Sequence, residues 1–512
     1  MPLETPGSAA VVNIMGIVGT GAMGRGIAQI AAQAGIQVLL FDALPGAADK
    51  ARDNVVATLA KLAEKGKLSA EALAQATARL QVVGELGALA PAQVVVEAIV
   101  ENLEVKRTLF KDLEAIVAAD CLLASNTSSL SVTAIAAACA HPERVGGFHF
   151  FNPVPLMKIV EVIDGLSTAP WVGDTLLALG RRLGHTAVRT LDTPGFIVNH
   201  AGRGYTTEAL RCLGESVAPH HVVDAIMRDA AGFRMGPFEL LDLTGLDVSH
   251  PVMEAIYHQY YEEPRYRPSA LAAQRVAGGL LGRKTGRCYY RYSDGKAEAI
   301  AAPAVPTARP ASVWVSQANR EWGEAVAELV VALGGKLDGG KQPAADSLCL
   351  VTPLGEDASS ACLAQGLDAT RSVAIDCLFG NLKRRTLMTT PLTTAAMRDA
   401  AHGLFAADGV PVSLIADSAG FVAQRIIAMV VNTSCDIAQQ GIASPADIDR
   451  AVTLGLGYPL GPLSFGDTLG PAKILAILQA MQDFYGDPRY RPSPWLTRRA
   501  RLGVSLLTEA QS

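Results

Sequence analysis

The sequence predicts an α/β domain built on a buried parallel sheet, an all-helical domain, a smaller α/β segment and a second helical copy. Three observations predict it. A glycine-rich turn joins an apolar strand to a helix near the start of the chain. Apolar strands alternate with helical stretches from there onward. Blocks of sequence from the helical part then return near the C-terminus at a nearly constant offset.

Asn13–Ile17 runs through Val18 into Gly19-Thr20-Gly21-Ala22-Met23-Gly24, and an alanine-rich helical stretch follows to Ala34. Gly35 breaks that helix, and Gln37–Phe41 reads as a second buried strand ending at Asp42. Strand, glycine turn, helix, strand and acid in this order are the requirements of a Rossmann unit. Gly19 makes the tight turn, Gly21 lets a pyrophosphate approach the backbone, and Gly24 lets helix lie on strand. Ala22 and Met23 open the helix, whose first amides and positive dipole end receive phosphate. Asp42 stands at the ribose position, where a carboxylate accepts from a 2′-hydroxyl and repels a 2′-phosphate. The cofactor expected is therefore NAD. The competing reading of Asp42 is a strand-end turn former.

Further strands are expected at Val94–Glu97 and Leu122–Ala124, with helices between. Segment 50–80 is helical and carries Lys61, Lys65 and Lys67, either solvated or the local basic cluster for a phosphorylated substrate. Glu97, Glu101 and Lys106 read equally as a charged helix face or as part of a site. Ser125-Asn126-Thr127-Ser128-Ser129 follows a strand and precedes a helix, which puts it at the carboxyl end of a parallel sheet, where ligands bind. Capping a helix is the alternative role for its hydroxyls.

Phe148-His149-Phe-Phe-Asn152-Pro-Val-Pro-Leu-Met-Lys-Ile-Val-Glu161 places one histidine in an aromatic, proline-rich frame, with a carboxylate twelve residues on. A lone histidine is most often a satisfied core or loop residue. Beside a dinucleotide site, a His–carboxylate pair is the apparatus for oxidising an alcohol: the carboxylate fixes the tautomer and the imidazole takes the hydroxyl proton.

On Gly19–Gly24, Val96–Glu101, Ser125–Ser129 and Phe148–Glu161, the chain resembles the L-3-hydroxyacyl-CoA dehydrogenase family. Asp192-Thr-Pro-Gly-Phe-Ile-Val-Asn199 and Gly236-Pro-Phe-Glu-Leu-Leu-Asp242 extend the match, so that it covers about residues 13–292. The resemblance implies that His149 is the general base toward a 3-hydroxyl and Glu161 its orienting carboxylate. It implies that Ser128 and Asn199 hold the reacting oxygen or the His149 arrangement, and that Glu101, Lys106, Ser128 and Asn152 line the NAD site. The substrate implied is an acyl-CoA thioester, in fatty-acid β-oxidation or aromatic-acid degradation; similar two-copy bacterial chains act on 3-hydroxyadipyl-CoA in phenylacetate breakdown. One departure follows Asn199, where His200-Ala-Gly-Arg203-Gly204-Tyr205 replaces the family's usual arginine and bulky aliphatics. Two glycines weaken a helix by about 1 kcal/mol each relative to alanine, or they permit close packing or a different acyl pocket.

The duplication is visible in three blocks. Asp192-Thr-Pro-Gly-Phe196 returns as Asp417-Ser-Ala-Gly-Phe421, Gly236-Pro237 as Gly461-Pro462, and Pro264-Arg-Tyr-Arg-Pro268 as Pro488-Arg-Tyr-Arg-Pro492. The expected organisation is an NAD-binding Rossmann domain over 11–191, a helical substrate or dimerisation-type domain over 192–292, and a linker over 293–309. A small degenerate α/β domain over 310–411 and a second helical copy over 412–512 complete it. Val313–Val315, Leu348–Val351, Val373–Ile375 and Val412–Ile415 look like strands. This second half has no GxGxxG, and Met388–Leu392 is its nearest echo of His149–Pro153, without the histidine. One active site is expected, in the first half. Helical domains of the family commonly pair between subunits, which implies either a monomer with an internal pseudo-dimer or a homodimer.

Of the chain's 512 residues, 50% are hydrophobic and 18% charged, the net charge is −5, and no long run has one sign. A nucleic-acid partner, which demands a basic footprint, is not expected. The eight cysteines are scattered without CxxC spacing, which fits reduced thiols in a cytoplasmic protein and argues against metal ligation. Residues 1–10 lack a signal-peptide pattern, and no apolar run approaches the ~20 residues that span a bilayer. Two other functions compete: dehydrogenation of a free hydroxy acid or sugar acid with the same dyad, and a non-catalytic NAD-binding structural protein.

Overall fold

The structure, a computed structural model, describes residues 11–509; the expectation for residues 1–10 lies outside them. The chain forms two compact units, one reaching to His200 and including Gln440–Leu456, the other comprising Ala201–Gln439 and the chain from Gly457. Among the described residues no helix is long and apolar enough to cross a membrane.

The first unit is built on one eight-stranded sheet. Its strands are β1 (Ile14–Val18), β2 (Gln37–Phe41), β3 (Leu80–Val82), β4 (Val94–Glu97), β5 (Leu122–Ser125), β6 (Val145–Phe150), β7 (Ile159–Asp164) and β8 (Thr186–Leu191). They lie in the order β3-β2-β1-β4-β5-β6-β7-β8, and only β6 and β7 pair antiparallel. Helices α1 (Ala22–Gln33), α2 (Ala47–Glu64), α3 (Ala70–Ala78), α4 (Leu103–Ile116), α5 (Val132–Ala136) and α6 (Pro170–Arg182) cover its faces, and α7 (Val198–Ala201) follows β8.

Strand residues alternate between the two apolar layers, so Val94 and Val96 pack on one side of the sheet and Val95 on the other. The apolar-run strands stand where the sequence puts them. β6 carries no such signal, because Gly146, Gly147 and His149 interrupt the pattern that marks a strand. The helix Pro445–Leu456, from the C-terminal part of the chain, belongs to this unit and packs against β7 and β8.

The second unit opens with α8 (Arg203–Gly214), α9 (His220–Asp229), α10 (Pro237–Thr244), α11 (Leu246–Gln259) and α12 (Ala270–Ala277). A short hairpin, β9 (Tyr292–Ser293) with β10 (Lys296–Ala297), leads into a five-stranded sheet. Its strands are β11 (Val313–Val315), β12 (Leu348–Val351), β13 (Ser372–Ile375), β14 (Arg385–Thr389) and β15 (Val412–Ile415), with helices α13 (Arg320–Ala332), α14 (Ala358–Leu363) and α15 (Ala395–Phe405). Then come α16 (Val422–Gln439), α17, which is the helix Pro445–Leu456 already placed in the first unit, α18 (Pro462–Leu469), α19 (Pro471–Tyr485) and α20 (Pro494–Leu502).

β11–β15 lie in sequence order, with only β13 and β14 antiparallel. This is the order and direction of β4–β8, without a counterpart of β1–β3 among the described residues. The register can be followed further: Ile163 pairs with Thr190 and Met388 with Ile415, the same pair at the offset that relates Asp192 to Asp417. Thr386 therefore stands where Glu161 does, and Asp376, whose amide donates to Thr386 O, stands across from it. The positions that match the His–Glu pair are therefore Asp376 and Thr386, and not the Met388–Leu392 segment expected from sequence. β14 itself was unexpected, and β15 extends the sheet beyond residue 411. The repeated aspartate has one job in both halves. Asp192 accepts from the Val132 and Thr133 amides at the start of α5, and Asp417 from the Ala358 and Ser359 amides at the start of α14.

The two helical repeats meet along α8 and α16. A β-carbon on Gly204 would lie 2.8 Å from the Met429 carbonyl group, so the helix backbones touch here. Gly204 and Met429 are separated by the same offset that relates Asp192 to Asp417. Contact between a residue and its own counterpart marks a two-fold interface. The turns Pro264–Tyr266 and Pro488–Tyr490, also counterparts, pack on each other. Two reciprocal backbone bonds agree: Ala416 N–H donates to Val217 O in the second unit, and Leu191 N–H to Ile442 O in the first. The glycine departure after Asn199 is thus partly answered, since Gly204 is required by close approach.

One buried ion cluster pins this interface. The Arg425 guanidinium donates to Glu208 and Glu215 at 2.8–2.9 Å, and Glu208 also receives Tyr490 Oη at 2.9 Å and faces Arg489 at 3.3 Å. Both Glu208 and Arg425 are fully buried. Burial alone raises the Glu208 carboxyl, but Arg425 and Arg489 outweigh it and hold it below the usual range. A depressed carboxyl stabilises fully above its unfolded value, about 4.3, and loses that contribution as pH falls through the folded value. Glu208→Gln is expected to destabilise the protein by about 3–5 kcal/mol near neutral pH. Urea unfolding from pH 7 downward checks this, with a shallower acid slope in the variant.

Candidate active site

The glycine turn after β1 is tied to β2 by Gly19 N–H donating to Phe41 O at 3.0 Å. A β-carbon on Gly24 would lie 1.8 Å from Gly19 O, so only glycine lets α1 approach the turn. Gly21 has open space where a side chain would project, and no side chain caps the N-terminus of α1. The cradle is open at the point where a pyrophosphate docks. Asp42 closes its other side, accepting from the Thr20 amide and hydroxyl at 2.7 Å each and from the Leu44 amide at 3.0 Å. Burial raises the Asp42 carboxyl, and these donors more than offset it, so it lies below its ordinary value. Asp42 thus forms the turn at the end of β2.

Lys106 departs from the expected charged helix face. It is 1% exposed, and its Nζ lies 2.6 Å from Glu97 and 3.2 Å from Glu101. Glu97 is buried and also accepts from Ser125 Oγ at 2.7 Å. Lys106 therefore positions Glu101 from beneath. Glu101 in turn gathers the serine loop, accepting from Thr127 Oγ1 at 2.7 Å, the Ser128 amide at 2.9 Å and the Ser129 amide at 3.1 Å. Burial raises the Glu101 carboxyl, but Thr127, Lys106, Ser128 and Ser129 together bring it below the usual range.

His149 Nδ1 lies 2.7 Å from Glu161 Oε2, and both residues are buried. The other carboxylate oxygen, Oε1, accepts from the Ile197 and Val198 amides at 2.9 Å each. Those amides are aimed by Gly195 and Phe196, both in the left-handed region at φ 81° and 49°. This is what the Thr-Pro-Gly-Phe motif does: it bends the chain so that the first amides of α7 meet the carboxylate. The His149 ring lies against Phe151 and Phe196, with ring centroids 4.4 and 5.8 Å away. Asn199, on α7, donates to Ser128 O at 3.4 Å. The segment 196–199 thus joins all four expected catalytic positions, His149, Glu161, Ser128 and Asn199.

A cavity of about 890 Å³ opens between α1, α2 and the chain 152–158. Ala22 and Asn152 line it, together with the basic residues Arg25, Lys67, Lys158 and Arg182, and no acidic residue does. Of the three expected lysines, Lys67 lines the cavity, while Lys61 and Lys65 are exposed and do not. Arg25, Lys158 and Arg182, like the Ile197 and Val198 amides, were not expected from sequence. Lys158 sits inside the His149–Glu161 motif, where spacing from the dyad could have drawn attention to it.

A parallel sheet with an open glycine cradle, an acid at the ribose position and a buried His–Glu pair defines an NAD-dependent dehydrogenase. The family comparison gives its branch. The 3-hydroxyacyl-CoA dehydrogenase NAD binding domain matches residues 14–193, and the C-terminal domain of the same family matches 195–292 and again 420–506. The chain belongs to the 3-hydroxyacyl-CoA dehydrogenase family. It is 40% identical over 491 residues to 3-hydroxyadipyl-CoA dehydrogenase of Escherichia coli, covering 96% of this chain and 98% of that one. It is 41% identical over 277 residues to a probable 3-hydroxybutyryl-CoA dehydrogenase of Deinococcus radiodurans, covering 54% of this chain and 99% of that one. The crystal structure of 3-hydroxybutyryl-CoA dehydrogenase from Escherichia coli matches with a TM-score of 0.85 at 38% identity, over 96% of this chain and 99% of that one.

Glu161→Gln keeps the side-chain shape and removes the charge. Turnover is expected to fall about 10²–10⁴-fold with NADH binding retained, as measured by kcat and by NADH fluorescence titration.

Proposed function

We propose that the chain oxidises the 3-hydroxyl of (3S)-hydroxyacyl-CoA thioesters to 3-ketoacyl-CoA, reversibly, with His149 as general base. The observation that carries this reading is the double anchoring of Glu161, by His149 Nδ1 on one oxygen and by two amides on the other. The Glu161 carboxylate, accepting at Nδ1, keeps the imidazole proton there and leaves Nε2 to accept the hydroxyl proton. The imidazolium so formed faces the same carboxylate and is stabilised by it. Ser128 Oγ and the Asn199 amide donate to the reacting oxygen as it gains negative charge. NAD, when bound, supplies the hydride acceptor, and the residues fitted to hold it are Gly19, Gly21, Ala22, Met23, Gly24, Asp42, Glu101 and Asn152. Lys106 serves that site by fixing Glu101. In the reverse direction His149 returns the proton to the carbonyl oxygen.

The basic cavity beside α1 and α2 suits the phosphates of coenzyme A, with Lys67, Arg25, Lys158 and Arg182 as their partners. The order and register of β11–β15 support reading residues 310–415 as a worn copy of β4–β8, silent because Asp376 and Thr386 stand at the dyad positions and no histidine does. The isologous contact of α8 with α16 supports an internal pseudo-dimer. The relative that matches along nearly its whole length is named for 3-hydroxyadipyl-CoA, which makes a dicarboxylyl thioester the first substrate to test, within aromatic-acid or fatty-acid degradation.

NADH formation with (S)-3-hydroxybutyryl-CoA, 3-hydroxydecanoyl-CoA, 3-hydroxyadipyl-CoA and free L-gulonate tests the reading. Turnover of the thioesters is expected, abolished in His149→Ala while NAD binding survives; turnover of the free acid alone would move the enzyme to a sugar-acid substrate. Asp42→Asn is expected to narrow the preference for NAD over NADP at least tenfold in kcat/KM, at a cost of about 1–2 kcal/mol to the turn it ties.

A further inference from the structure

The second unit holds a cavity of its own, about 660 Å³, walled by α9, α15, β15 and the chain 297–305. His221, Ala225 and Arg228 line it at helical spacing, so one face of α9 meets it, and His402 and Ala406 present the same kind of face from α15. Ala225 and Ala406 are too short to fill the space they border. Apolar groups make most of the wall, and two of them, Ile300 and Val305, are 46% and 55% exposed. The chain that follows is held against α15, where Ala308 O leaves no room for a β-carbon on Gly403. Sites for small organic molecules run from about 300 to 1,000 Å³.

The cations of this cavity are already matched. Arg228 is paired with Glu239, and Arg384 donates to Asp229 at 2.8 Å and to Ser413 Oγ at 3.0 Å. Tyr290 spends its hydroxyl on Asp224 at 2.7 Å, and the exposed Glu298 adds a further negative charge. Two imidazoles are left. His402 is 5% exposed, and its ring bonds to no other described residue. His221 Nδ1 is buried without a hydrogen-bond partner among the described residues. Burial pushes both rings below their ordinary value, and at His402 the opposed effects of Asp399 and Arg398 are smaller. Both are therefore neutral near pH 7, each with one donor and one acceptor. A buried polar group without a partner normally has one supplied by a ligand or water.

We propose that this cavity binds an uncharged aromatic molecule bearing a hydroxyl, with the hydroxyl at His402 and the ring against Val222, Val305 and Pro411. A phenolic hydroxyl donates to the bare imidazole nitrogen or accepts from the protonated one, so it answers a neutral histidine in either tautomer. Tyr290, Pro303 and Pro411 give a planar ring flat surfaces to lie on. A carboxylate finds both guanidiniums already paired and meets the charge of Glu298; an ammonium gives up its water beside Arg228 and Arg384. The cavity of the first unit, lined by four basic residues and no acid, is the opposite case. The inference does not rest on the thioester reading, because the ligand takes no part in that reaction.

The test is calorimetric titration of the full chain with four probes that share one shape: 4-propylphenol, propylbenzene, 4-propylbenzoate and 4-propylbenzylamine. The phenol is expected to bind at one site with Kd below about 1 mM. Propylbenzene is expected to bind about fivefold more weakly, for want of the hydrogen bond, and the two charged probes more weakly still. His402→Phe keeps a ring in place and removes its nitrogens; it is expected to bring the phenol down to the level of propylbenzene and to leave propylbenzene unchanged. Ala301→Trp, at an exposed position of the cavity wall, is expected to abolish binding of both. The ranking of the four probes on the unaltered chain tests the inference without any variant. Absence of phenol binding, binding of the benzoate or the benzylamine as tight as that of the phenol, or phenol binding undiminished in either variant overturns it.

Discussion

The Glu161 carboxylate is the point through which the catalytic arrangement is assembled. It lies on β7, directly across from His149 on β6, at the one antiparallel pairing of the eight-stranded sheet. Antiparallel register puts the two side chains on the same face and close together. The second oxygen is held by the amides that open α7, so the strand pair and the helix are fixed by a single buried group. Both oxygens of this buried carboxylate therefore have donors, as buried polar groups require. The Gly195–Phe196 bend that supplies the amides also places Asn199 beside Ser128. His149, Glu161, Ser128 and Asn199 are therefore set by one local geometry.

The same logic of shared carboxylates recurs beside it. Glu101 gathers three residues of the serine loop on one oxygen and faces Lys106 with the other. Asp42 ties the glycine turn to the end of β2, and Asp192 ties α5 to the chain after β8. Each of these acids stands next to a loop at the carboxyl end of the sheet, where loops have few apolar contacts of their own. Ionic anchors give those loops the definition that core packing gives the strands.

The second unit repeats part of the first in the order and direction of its strands. Its sheet, β11 to β15, runs as β4 to β8 do, without a counterpart of β1–β3 among the described residues. Asp417 ties α14 and Ala416 donates to Val217, whereas Asp376 and Thr386 stand where the register puts His149 and Glu161. Fusion of the two copies also frees the repeats from symmetry. Arg425 in the second repeat engages Glu208 in the first, but the counterpart of Arg425 in the first repeat is His200, and that of Glu208 in the second is Thr433. A homodimer cannot hold such an unequal pair, because each substitution would appear on both sides.

The sequence by itself determined the dinucleotide cradle, the identity of the dyad and the existence of the repeat. These rest on local chemistry or on order along the chain: glycines where a backbone must approach, an acid at the end of β2, a histidine and a glutamate in a fixed frame, and blocks at a constant offset. Only the tertiary structure decided what depends on residues far apart meeting. It made β6 a strand although its glycines disguise it, buried Lys106 between two glutamates, and moved the echo of His149 from the Met388 segment to Asp376. It gathered Arg25, Lys67, Lys158 and Arg182 round one cavity, and it assigned residues 440–456 to the first sheet although sequence order joins them to the last helices. Spacing along a chain fixes a turn or a strand, because those bonds are local. Burial, charge pairing and cavity walls are properties of packed surfaces, and no single segment carries them.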